Sequence, residues 1–199
     1  MMKAFAALLI AASLLAGCAT PAMESRGGPD DAAVLLAPDL RLDLPEPAAM
    51  GRSLEVVQMV TAHHGGDTIT FEAHLSITPQ QVLLAGLDVT GQRLMTVTWR
   101  GRQIDVEAAR TLPKDVRPGA VLADLVVLYW PEDVVRQALR KSGAELAVTP
   151  TSRAITLHGK PVLQATYRQS SADPWPGGLH YRNLAWGYDI DVETIQVTP

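Results

Sequence analysis

The sequence has almost no cysteine, few aromatic residues and no basic run, and each shortage removes a class of protein. Cys18 is the single cysteine in 199 residues, so no disulfide can form within the chain and the fold must be held by its own core. Lys and Arg number 17 against 21 Asp and Glu, a formal net charge of −4. With no clustered basic stretch, no nucleic-acid partner is expected. Beyond Leu15 no uncharged stretch approaches the roughly 20 apolar residues that a membrane-spanning helix needs. A Gly-x-Ser-x-Gly elbow is missing, which leaves no recognisable nucleophile and an expectation of no enzymatic activity and no cofactor. The five histidines, His63, His64, His74, His158 and His180, show no zinc-like spacing, and no metal site is expected.

What is present begins at the N-terminus. Lys3 precedes an uncharged segment from Ala4 to Leu15, the charged and apolar regions of a secretory signal that is too short to cross a bilayer. Leu15-Ala16-Gly17-Cys18 resembles the lipobox of bacterial lipoproteins. That resemblance implies cleavage before Cys18, lipid attachment there, and stable anchoring by two or three acyl chains at about 0.8 kcal/mol per buried methylene. Ala19 follows where proteobacterial lipoproteins retained at the inner membrane usually carry Asp, so the resemblance further implies the periplasmic face of the outer membrane.

Three regions are expected: a signal peptide over 1–17, a lipidated N-terminus with tether and first strand over 18–50, and one domain over 51–199. The tether follows from Gly27-Gly28-Pro29 and Pro45-Glu46-Pro47, which interrupt regular structure. Extended at about 3.3 Å per residue, it would hold the domain tens of ångströms off a membrane. Beyond Gly51 apolar residues recur with period two. Ile69, Phe71, Ala73, Leu75 and Ile77 alternate with polar neighbours, as in a half-buried antiparallel strand. Strands are read over Leu54–Ala62, Thr68–Ile77, Gln81–Asp88, Arg93–Trp99 and Gln103–Ala108. They resume over Glu145–Thr149, Ala154–Leu157, Pro161–Arg168, Tyr181–Trp186 and Tyr188–Val197.

Between these groups the pattern becomes helical. Val121 to Tyr129 carries Asp124 as its only charge and reads as a buried helix. Pro131-Glu132-Asp133 opens a second, amphipathic helix that Gly143 ends. Strands, one helical pair and strands again make an α+β architecture: a strongly curved antiparallel sheet of about ten strands, an incomplete β-barrel, with the helical pair in its concavity.

Leu122-Ala123-Asp124-Leu125 through Tyr129-Trp130-Pro131, with Tyr167-Arg168 and Asn183 through Gly187-Tyr188, resemble an uncharacterised family of proteobacterial outer-membrane lipoproteins, a domain of unknown function. The likeness covers Leu54 to Val197, and members are often encoded beside aryl-polyene or fatty-acid-type synthesis genes. The family is similar in layout to the LolA and LolB lipoprotein carriers. This implies a module that binds or transfers a lipid-like, acyl or polyene-linked molecule in an apolar hollow. The alternative is a structural module docking on another envelope protein. Phe71, Met95, Trp99, Leu125, Tyr129 and Trp130 are the candidate ligand-binding residues; apolar residues at regular spacing are more often ordinary core, and the same six also read so. Trp175, between Pro174 and Pro176, is either a membrane-contact residue or a cover for the sheet edge. Asp189, Asp191 and Glu193 alternate along one strand face and read as solvated. Asp124 needs a partner, for which Arg168 or Arg182 are candidates, or a place at the rim, because an unpaired buried charge is costly.

Overall fold

The computed structural model describes residues 23–25, 34–113 and 116–199; the expected signal peptide and Cys18 lie outside them. Thirteen strands are described: β1 (Met23–Ser25), β2 (Leu35–Ala37), β3 (Leu40–Arg41), β4 (Leu54–His64), β5 (Asp67–Ile77), β6 (Val82–Leu87), β7 (Arg93–Arg100), β8 (Gln103–Ala109), β9 (Ala144–Thr149), β10 (Ser152–Leu157), β11 (Lys160–Tyr167), β12 (Leu179–Asn183) and β13 (Tyr188–Thr198). Helices α1 (Pro118–Tyr129) and α2 (Glu132–Leu139) stand between β8 and β9. None of the described helices is long and apolar enough to cross a membrane.

Eleven strands form one antiparallel sheet in the order β1-β8-β7-β6-β5-β4-β13-β12-β11-β10-β9. Two meanders are joined at its centre, where β13 pairs with β4 from Tyr188 opposite His64 to Thr198 opposite Glu55. The sheet curls without closing, and one residue shows how far. The Trp130 ring lies 5.7 Å from that of Trp99 on β7, while its carbonyl accepts a hydrogen bond of 2.8 Å from Arg153 on β10. Those strands are seven places apart in the sheet, roughly 33 Å if it were flat at about 4.8 Å per strand. The sheet therefore wraps around the helical pair, and α1 is buried on nearly every side.

The segment 34–50 departs from the expected tether. Val34, Leu36, Leu40, Leu42 and Met50 are all buried, and β2 packs on α1. The backbone N–H of Asp43 donates to Ala138 of α2 (3.1 Å), and the side chain of Lys141 donates to the Asp43 carboxylate (2.7 Å). Helix α1 is thus held between the sheet and a short N-terminal hairpin, so the folded unit begins before Gly51. β1 departs further: it pairs with β8 at the sheet edge, Met23 opposite Ala109.

Candidate functional site

Where α1 gives way to α2, the chain leaves a cleft of about 510 Å³. Its walls are Tyr129, Trp130, Pro131 and Glu132 from the junction, Val148 of β9, Arg153 of β10, the 171–175 loop, and Met50 and Arg52 just before β4. The loop is fixed at its far end by Gly178. That residue has φ +89°, and a Cβ there would stand 2.0 Å from the Val192 carbonyl oxygen, so glycine alone allows this approach to β13. Its near end is tied by Ser171, whose N–H donates to the Pro150 carbonyl (2.8 Å). Between these ties Trp175 turns inward. It is 1% exposed and stacks on Tyr129 at 4.2 Å between ring centroids. In this conformation its indole covers the cleft wall and presents no surface to a membrane.

Arg153 is the polar centre of this region, at 3% exposure. Its Nη1 donates to the carbonyls of Val127 (2.9 Å) and Trp130 (2.8 Å), and its Nη2 to that of Ser171 (3.0 Å). The Tyr167 hydroxyl adds a bond to the Leu128 carbonyl (2.7 Å). A helix leaves its last carbonyls unpaired and carries partial negative charge there. The two side chains supply donors and positive charge at that end. Burial beside this helix raises the Tyr167 hydroxyl above its usual range, and the Arg153 charge opposes the rise. Three N–H groups of cleft residues are left without an acceptor: Arg153 Nε, Trp130 Nε1 and Trp175 Nε1. At the rim Arg52 pairs with Asp173 at 2.6 Å, with side chains 49% and 55% exposed.

The six residues read from the sequence as ligand contacts divide. Met95, Trp99 and Leu125 are closed in the core, and the space between α1 and the sheet is filled by them and their neighbours. Phe71, together with Met95, borders an apolar dent of only about 20 Å³ near Gly86 and Leu112. Only Tyr129 and Trp130 reach the large cleft. The large cleft thus lies at the end of the helix, while the apolar girth of α1 packs into the concavity of the sheet. Burial raises the Tyr129 hydroxyl above its usual range although Gln58 donates to it (3.0 Å). Arg153 was missed by one residue: the expected strand began at Ala154, whereas β10 starts at Ser152. By alternation Arg153 shares a face with Ile155, an arginine on an inward face, and that was the available signal.

A family model described as a protein of unknown function, DUF3261, matches residues 55–196. The chain belongs to this family. The matched span runs from β4 to β13 and includes both helices and the cleft loop, while the hairpin β2–β3 lies before it. No curated protein matches the DUF3261 chain. Among solved structures it is similar to a LolA superfamily protein from Nitrosomonas europaea, at 10% identity and a TM-score of 0.47, over 79% of this chain and 88% of that one. It is also similar to a DUF1329 family protein from Desulfovibrio piger, at 8% identity and a TM-score of 0.35, over 73% and 84% of the two chains.

The DUF3261 domain holds a second polar cluster inside its core. Asp124 of α1, 4% exposed, accepts hydrogen bonds from the hydroxyls of Tyr181 (2.9 Å) and Tyr188 through one oxygen, Oδ2. Its Oδ1 has no partner. Burial raises the carboxyl to about 7, and the tyrosine hydrogen bonds only partly oppose the rise. The expected arginine partners are excluded: Arg168 and Arg182 are both exposed, and Arg182 alternates outward between Tyr181 and Asn183. Among the described residues no group of three His, Cys, Asp or Glu side chains could hold a metal ion.

Proposed function

We propose that this DUF3261 protein is a non-enzymatic binding or transfer module that takes an apolar, lipid-like molecule in the cleft at the α1–α2 junction. The observation that carries this reading is the cleft itself: about 510 Å³, walled by stacked Tyr129 and Trp175, with Arg52, Glu132, Arg153, Ser171 and Asp173 as its polar groups. Small-molecule sites are apolar concavities of roughly 300–1,000 Å³ with a small number of placed polar groups. An acyl or polyene-linked cargo fits the gene neighbourhood that the sequence resemblance implies. We further propose, from the lipobox-like Leu15-Ala16-Gly17-Cys18 and Ala19, that the chain works on the periplasmic face of the outer membrane, held by lipid on Cys18.

The test is native mass spectrometry with lipid extraction on the protein purified gently from a bacterial envelope. A stoichiometric apolar adduct is expected, and Val148→Trp, which fills the cleft from β9, should abolish it. A clean apo mass for the unmodified protein would overturn the binding reading. It would favour a module that docks on another envelope protein, which the filled space between α1 and the sheet also supports. For the anchor, Cys18→Ala should abolish acylation and membrane fractionation while the domain still folds. Recovery of the variant as an acylated membrane species would refute lipidation at Cys18.

A further inference from the structure

We infer that the cleft receives the anionic head of a single-chain amphiphile, a carboxylate or phosphate ester, at Arg153 and the indole N–H groups of Trp130 and Trp175. The inference rests on reading the cleft as the ligand site and names the chemistry of its occupant. Buried charges in proteins are paired or fully hydrogen-bonded. Arg153 is buried, yet among the described residues no carboxylate forms an ion pair with it: its partners are three neutral carbonyls. Its Nε is left over, and so are the two indole N–H groups. Three unpartnered donors in residues that wall one cleft, one of them cationic, match an oxygen anion.

The acidic groups of the cleft do not neutralise this site. Glu132 is held by Arg136 at 2.6 Å, and Asp173 by Arg52. Tyr129, Met50 and Val148 supply the apolar surface along which a chain would lie. The three donors are sealed from water, so the head reaches them as the rim opens at Ala172 and Asp173 while Trp175 stays stacked on Tyr129. The tie across the rim is the Arg52–Asp173 pair, about half exposed on both sides and therefore weak. Asp173→Asn removes the tie and one negative charge together.

Three probes with the same chain separate the possibilities: dodecanoate, dodecyl phosphate and dodecanol, titrated into the full chain and followed by tryptophan fluorescence and native mass spectrometry. One equivalent of an acid should bind, with dodecanol weaker by about tenfold or more, the discrimination expected of a charged hydrogen-bonded head. Whichever acid binds more tightly identifies the head. Trp175→Phe keeps an aromatic ring against Tyr129 but loses one donor, and should weaken the acid by a larger factor than it weakens dodecanol. Asp173→Asn should tighten the acid. Equal binding of acid and alcohol would overturn this inference and leave the cleft reading intact. Binding of none of the three would overturn both.

Discussion

Replacing Arg153 by methionine is expected to lower the unfolding free energy by about 3–5 kcal/mol, read from denaturant midpoints. Methionine can occupy much of the volume but offers no donor. The carbonyls of Val127, Trp130 and Ser171 would be left without the guanidinium, and a buried polar group left unpaired costs about 1–3 kcal/mol. Removing a buried cation returns part of this, since its own desolvation cost disappears. Arg153→Lys should retain some of the stability: an ammonium supplies charge at the helix end but cannot fork to three carbonyls from one plane. The loss should be felt beyond the helix, because the same side chain joins α1, β10 and the cleft loop. A loss below 1 kcal/mol for Arg153→Met would show that packing alone fixes the helix end.

The second large effect depends on pH. In the unfolded chain Asp124 titrates near 3.8, and in the fold near 7. Between those values the folded protein keeps a proton that the unfolded chain has released. Stability from this group is therefore greatest below about pH 4, falls as pH rises toward 7, and levels off above. At about 1.4 kcal/mol per pH unit the fall amounts to roughly 4 kcal/mol. Asp124→Asn carries no ionisable group and should lose this slope, so the variant gains on the native protein as pH rises from 4.5 to 8. Urea unfolding at pH 4.5, 6 and 8 measures it. Parallel profiles for the two proteins would mean that the carboxylate is accommodated in its charged form by Tyr181 and Tyr188.

These two sites were also the least legible part of the sequence, for a shared reason. Local periodicity locates elements: the alternation over Ile69 to Ile77 and the apolar run from Val121 to Tyr129 place β5 and α1 within a few residues of their observed bounds. It does not say which element meets which. Asp124 is joined to tyrosines 57 and 64 residues away, and Arg153 to carbonyls up to 26 residues away, by a curl of the sheet that no local pattern encodes. The same limit explains the hollow. Six apolar residues could be named, but whether α1 filled the concavity depended on its girth against the radius of the curl. The N-terminal hairpin is hidden for a different reason. Val34, Leu36, Leu40 and Leu42 did carry an inward pattern, but Pro38 and the flanking Asp and Pro residues gave stronger loop signals.

The pairing of β1 with β8 changes the geometry of any anchor. Met23 follows Cys18 by only five residues, and five residues reach at most about 18 Å even when drawn straight. A lipid on Cys18 would hold the domain on a short leash instead of the long boom that the proline-rich segment suggested. The β1–β8 edge would stay beside the headgroups, and an exchange of cargo would take place within a molecular diameter of the bilayer surface.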